Sequence, residues 1–248
     1  MISLPNPLRL VLLVVIALCG VARVSDAPAT NAPSATPPPT PAALPHVRKF
    51  KALDADNHTI ILNRPGVITL LIGTSEDSQD AARDAGKAVY PFRGRTDFQL
   101  IVVVDLRDSL ATWVPSIVTA KMRSSLDQEA IELKPYFLKN GNKSNPRTST
   151  YVIPDFSGTV CPQLGWAKTS DNLRGILFGI DGREMERWDK ISDMAKLQSD
   201  VHDAIQAQVE IEEAKLAAAA KTPGSKLLHP VYQHPPLVPY TPWPPKAD

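Results

Sequence analysis

Proline placement limits what this chain can fold into more than any other feature. Of 24 prolines, two lie in the first nine residues, seven between Pro28 and Pro45, and eight between Pro223 and Pro245, which leaves seven for the stretch from His46 to Lys221. Each proline fixes φ and removes a backbone donor, so dense runs of it cannot enter helices or central strands. The chain therefore divides into a signal segment over 1–27, a Pro/Ala/Thr-rich linker over 28–46, one domain over 47–221 with an extended C-terminal helix, and a Pro-rich tail over 222–248. A domain of that length buries roughly 70% of the surface its unfolded chain exposes, which suffices for a core without metal or disulfide support.

Within 1–27, Arg9 precedes a run of 13 apolar or small residues from Leu10 to Ala22, closed by Arg23. That run is shorter than the ~20 residues of a spanning helix and has the form of a signal peptide's apolar region. Cleavage after Ala22 is expected; lipidation at Cys19 and an uncleaved anchor are the alternatives. All three place the domain outside the cytoplasm, in the periplasm or cell envelope. Loss of Cys19 leaves Cys161 as the one remaining cysteine, so no internal disulfide can form.

The 27 basic and 26 acidic residues nearly cancel, and no basic stripe of the kind that neutralises phosphates is visible, so nucleic acid is not an expected partner. A membrane is expected as a partner only if the N-terminal segment is retained or lipidated. The linker and the tail are expected to be disordered and extended, in part as polyproline II. The tail also carries Tyr232, Tyr240 and Trp243, and its overlapping P-x-x-P steps at Pro236, Pro239, Pro242 and Pro245 suit an aromatic groove on a partner.

Inside the domain, Val67–Gly73 and Phe98–Leu106 are continuous β-branched apolar runs, as expected of strands covered on both faces. Between them Ser75 is a candidate N-cap, with Glu76 and Asp77 in the first turn and alanines at 81, 82, 85 and 88 along one helical face. A second helix is expected over Ser109–Leu126, with Pro115 at its start or kinking it, then a loop over Lys139–Thr150, a short strand over Thr150–Ile153 and a turn at Asp155–Gly158. Gly175–Ile180 and Arg183–Trp188 flank Asp181-Gly182, which predicts an antiparallel hairpin with a type I′ turn and a second strand at the sheet edge. Met194, Leu197, Val201 and Ile205 then recur at helical spacing, in a helix extending to about Ala220. Trp113, Trp166 and Trp188 are expected in or near the core.

The order β-α-β, helix, β-hairpin, helix is that of a thioredoxin-type layout. Asp155-x-Ser157-Gly158-x-Val160, Gly165-Trp166 and the hairpin from Ile176 to Glu184 resemble the latter half of the peroxiredoxin and thiol-specific antioxidant group. Over roughly Phe50–Ile205 the chain resembles still more the small periplasmic thioredoxin-like proteins without a C-x-x-C, in which a segment similar to Met122–Leu126 precedes the Asp-Gly turn. The resemblance implies an α/β fold, a thioredoxin-like three-layer α/β/α sandwich with a central mixed sheet.

It also implies where chemistry would lie. The redox-active relatives hold a cysteine just after the first central strand, at a helix N-terminus that favours the thiolate, and a cis-proline before the hairpin. Here Thr74-Ser75-Glu76-Asp77-Ser78 carries no sulfur, and Ser170–Arg174 carries no proline. The expectation is a redox-inactive binding or scaffold module of the envelope, with another envelope protein as its partner and no cofactor. Two alternatives stand beside it. Cys161, followed by Pro162, is the candidate catalytic thiol of an oxidoreductase or peroxidase. Ser75, Glu76, Asp77 and Asp105 could instead gather at the carboxyl edge of the strands, where open α/β sheets bind ligands, as a polar-ligand or cation site. His58 and His202 are isolated in sequence, and no metal site is expected.

Overall fold

The computed structural model describes residues 49–220; the expected signal segment, linker and tail lie outside the described residues. Seven strands and three α-helices follow in the order β1 (Lys51–Leu53), β2 (Thr59–Ile61), β3 (Ile68–Thr74), α1 (Gln79–Ala88), β4 (Phe98–Asp105), α2 (Pro115–Lys139), β5 (Tyr151–Asp155), β6 (Arg174–Phe178), β7 (Glu184–Trp188) and α3 (Met194–Ala220). The main sheet runs β5-β4-β3-β6-β7. β4 is parallel to both β3 and β5, β6 is antiparallel to β3, and β7 is antiparallel to β6. A parallel β-α-β unit extended by an antiparallel hairpin on the other side of β3 is the thioredoxin-like arrangement, so the expected fold class holds.

The two apolar runs became inner strands because their side chains are buried on both faces. Every residue of β3 is buried. Ile68, Leu70 and Ile72 meet Ala85 and Val89 of the first helical region and Leu197, Val201 and Ile205 of α3. On the opposite face Leu71 packs with Ile101, Val103, Ile153, Ile176 and Trp166. That face is covered by β1 and β2, an antiparallel pair whose Ala52, Ile60 and neighbouring Phe50 join the same cluster. These two strands were not foreseen: at three residues each they are too short to show a period. Helix α2 packs on β5 and on the 3₁₀ turns at Tyr90–Phe92 and Pro146–Ser149.

Three local expectations are corrected. Helix α1 begins at Gln79, after Ser78, because the Ser78 hydroxyl accepts from the Ser75 amide (3.0 Å) and closes a turn over 75–78 before the helix starts; Glu76 and Asp77 lie in that turn. Helix α2 starts at Pro115, where a missing amide is harmless, and continues through Lys139, well past Leu126. The hairpin turn is not type I′, which requires positive φ at both central residues, since Asn57 is the one non-glycine with positive φ among the described residues. Instead the Gly182 amide donates to the Gly179 carbonyl and the Gly179 amide to that of Arg183, both at 2.9 Å. Asp181 accepts from the Arg183 amide, and Gly182 alone is left-handed, at φ 76°. This is a three-residue loop with a bulge, and the ladder shifts register at Leu177/Phe178.

The left-handed position at Gly182 gives a direct test. Gly182→Ala is expected to destabilise the domain by about 1–2 kcal/mol, read as a lower urea midpoint at unchanged slope, whereas Asp181→Ala loses one exposed hydrogen bond and an exposed ion pair with Arg183 and shifts the midpoint less.

Candidate functional site

The carboxyl ends of β3 and β4 hold the residues that the sequence offered as a polar-ligand or cation site, while the candidate thiol Cys161 lies after β5. β3 ends in Gly73-Thr74, which pair with Val103 and Val104 of β4. The Thr74 and Ser78 hydroxyls are 3.0 Å apart, and the Ser75 hydroxyl is 3.3 Å from that of Ser78. The position that would hold a redox thiol is thus a knot of hydroxyls bonded to one another. Glu76 is half-buried and accepts from the Ser109 hydroxyl; the same Ser109 oxygen accepts from the Ala111 amide, so Glu76 ties this turn to the one after β4. Asp77 is exposed.

Asp105 closes β4 and is buried. Arg107 grips it with two hydrogen bonds, Nε to Oδ1 at 2.9 Å and Nη2 to Oδ2 at 2.7 Å, the bidentate geometry that suits a guanidinium. The remaining donors of Arg107 reach the carbonyls of Trp166 and Ala167. Arg174, the first residue of β6, stands directly opposite Gly73. Its Nη2 lies 3.7 Å from Asp105, its Nη1 donates to the Lys168 carbonyl, and its guanidinium sits 5.1 Å from the centre of the Trp166 ring. The buried Trp166 indole lies flat on the end of β3, where a Cβ on Gly73 would come within 2.5 Å of it. One cluster therefore fills the carboxyl edge between β4, β3 and β6: the buried Arg174 guanidinium, Asp105 carboxylate and Trp166 indole, with the partly exposed Arg107 guanidinium at its rim.

Cys161 lies beneath this cluster, in the 3₁₀ turn Cys161–Leu164 after β5, away from the start of α1. Asp155, paired with Asp105 across the β4–β5 ladder, accepts from the amides of Thr159, Val160 and Cys161 and so fixes the turn. The thiol is fully buried. Burial, and after it the charges of Asp105 and Asp155, push its pKa well above the usual range, while Arg107 opposes them more weakly. The thiolate needed for nucleophilic attack is disfavoured here by both solvation and charge.

Of the residues singled out from sequence, Ser75, Glu76, Asp77 and Asp105 do lie at one end of the sheet, but Glu76 and Asp105 are already engaged, the latter by two arginines. Arg107, Trp166 and Arg174 were missed as site residues. Trp113, expected near the core, is instead 85% exposed, together with Leu110, Val114 and Ile117 at the head of α2. It follows a strand end into a 3₁₀ turn, Leu110–Trp113, none of whose residues is buried.

Elsewhere, His58 has a neighbour the sequence did not indicate, Asp54 at 3.5 Å. With Asp56 these form the one group among the described residues whose ligand-type atoms lie within 4.8 Å of one another. Asp54 accepts from the amides of Asp56 and His58, and Asp56 pairs with Arg123 and Arg147, so both carboxylates are already engaged. His202 stands beside Asp203, with its ring near Phe92.

The fold is a thioredoxin-like α/β fold, and the carboxyl edge of its β3 and β4 holds hydroxyls and a largely buried charge cluster. No protein-family model matches the chain, and no curated protein matches it. Among solved structures it is similar to StoA from Bacillus subtilis, at 10% identity, covering 62% of this chain and 96% of that one with a TM-score of 0.38. It is likewise similar to a secreted Mycobacterium tuberculosis disulfide oxidoreductase, at 10% identity, covering 62% and 95% with a TM-score of 0.38. A third is Arabidopsis thaliana ScoI with copper bound, at 11% identity, covering 64% and 98% with a TM-score of 0.39. Likeness at this level concerns chain path alone; the fold is read from the strand order.

Two substitutions probe the cluster. Gly73→Ala puts a methyl into the Trp166 ring and is expected to cost about 1–3 kcal/mol by overpacking, visible as a lower melting temperature and a change in tryptophan fluorescence. For Asp105, burial alone would raise the pKa, but the hydrogen bonds and charge of Arg107, with Arg174 beyond, outweigh it and hold the carboxyl below its ordinary value. A depressed carboxyl contributes stability that is complete above its unfolded pKa and fades as pH falls through the folded one. Asp105→Asn, which strands the buried Arg174 guanidinium and the partly exposed Arg107, is expected to cost about 3 kcal/mol at neutral pH, the low end for a buried pair. The gap to the parent chain should narrow below about pH 4, as measured by urea unfolding across pH.

Proposed function

We propose that this chain is an exported binding module of the cell envelope that uses a thioredoxin-like scaffold without thiol chemistry, and that its partner is another envelope protein. The observation carrying this reading is the Asp105–Arg107–Arg174–Trp166 cluster, which occupies the edge where redox-active relatives hold their thiol and the cis-proline beside it. A buried, hydrogen-bonded charge cluster leaves no approach for a substrate disulfide to the end of β3, and residues 74–78 offer no sulfur to attack it. Cys161, the remaining thiol of the domain, is buried and has a raised pKa. Export is supported by the apolar run over Leu10–Ala22 behind Arg9. Among the described residues no helix is long and apolar enough to cross a membrane.

The test is a pair of activity assays, peroxide consumption with a dithiol reductant and reduction of insulin disulfides, run on the parent chain and on Cys161→Ser. Neither protein is expected to turn over, and Cys161 should react with an aromatic disulfide reagent only once the fold is unfolded in guanidinium. Turnover by the parent that disappears in Cys161→Ser would make the chain a thiol enzyme and end the proposal.

A further inference from the structure

Nine large hydrophobic side chains are exposed among the described residues, and four of them fall within eight residues: Leu110 at 50%, Trp113 at 85%, Val114 at 44% and Ile117 at 67%. Single exposed apolar residues are ordinary, whereas a cluster of them marks an interaction surface. Trp113 is the one aromatic among the nine, so this knob at the head of α2 offers a flat indole with aliphatic groups around it.

The two segments outside the described residues differ in what they could place there. Residues 28–46 contain one large apolar side chain, Leu44, whereas 222–248 contain eight, among them Tyr232, Tyr240 and Trp243. An extended spacer has no use for such residues, which in water favour burial. Proline density also restricts how the tail can be covered. From Pro230 onward no more than four residues lie between prolines, so that part of the tail, with both tyrosines and Trp243, is a poor strand to add to the open edge at β7, since prolines lack the amide such a ladder needs. A polyproline II segment presents proline rings to aromatic surfaces, and its unpaired carbonyls can accept from an indole N–H, with little ordering entropy left to lose. Its reach is sufficient: the 28 residues after Ala220 span up to ~85 Å when extended, about twice the ~40 Å diameter of a domain this size.

We propose that residues 222–248 dock on the Leu110–Ile117 knob of their own chain, with the proline and aromatic steps of the tail packed on Trp113. The test places a nitroxide label in the tail of the full ¹⁵N-labelled chain at Thr241→Cys, with Cys19→Ala to leave no other accessible thiol. The amide signals of Leu110–Ile117 are expected to lose most of their intensity relative to the reduced label. Trp113→Ala should restore the signals of its neighbours with far-UV dichroism and melting temperature unchanged, since that side chain is exposed. No loss at 110–117, or a loss spread evenly over the domain, overturns the proposal. So does a loss that persists when the label and the ¹⁵N are carried by different copies, because the tail would then seat on a second molecule.

Discussion

The missing side chain at Gly73 governs the functional end of this domain. Because nothing projects from that face of β3, the Trp166 indole can lie directly on the end of the central strand. Its position then gives the Arg174 guanidinium an aromatic face to stack on, and places the Trp166 and Ala167 carbonyls within reach of Arg107. A cation held over a ring in a desolvated setting is favourable, but two guanidinium groups in one buried place repel each other unless a carboxylate lies between them. Asp105 is that carboxylate. The chain of dependence runs from a backbone constraint through packing to electrostatics, and each step closes the edge further against solvent.

Such a cluster is not an efficient way to stabilise a fold. Desolvating charges offsets most of their attraction, and apolar residues of similar volume often do as well. Arg174 Nε and Trp166 Nε1 are buried without a hydrogen-bond partner among the described residues, each costing about 1–3 kcal/mol relative to a satisfied group. The domain carries these penalties on a core that needs no help from them, since β3 and β4 already bury both faces. The cluster therefore acts on shape more than on stability. It pins the 160s segment and the start of β6 onto the strand ends.

Much of this architecture was legible from sequence, for a physical reason. Strands buried on both faces read as unbroken β-branched runs, so β3 and β4 fell within a residue or two of their expected positions; α3 showed its period in Met194, Leu197, Val201 and Ile205. The illegible parts share a different character. β1 and β2 are too short for alternation to register, and α2 outran its expected end because Ile131 and Leu138, exposed, and Pro135, inside the helix, blur its period. Asp181-Gly182 satisfies two turn geometries equally well, and only the φ of Asp181 separates them. At the site, the missing sulfur was readable because it is a statement about position. The cluster that replaces it was not, because Arg107 meets Trp166 across 59 residues of sequence and nothing local marks either as a partner.

Cys161 shows how far the same residue type can differ in chemistry on one scaffold. At the start of a helix such as α1, open amides would favour a thiolate. In the turn after β5 the nearby amides, including that of Cys161 itself, already donate to Asp155, and that carboxylate together with Asp105 disfavours a further negative charge. The amides that would otherwise activate the sulfur are spent on fixing the loop that buries it.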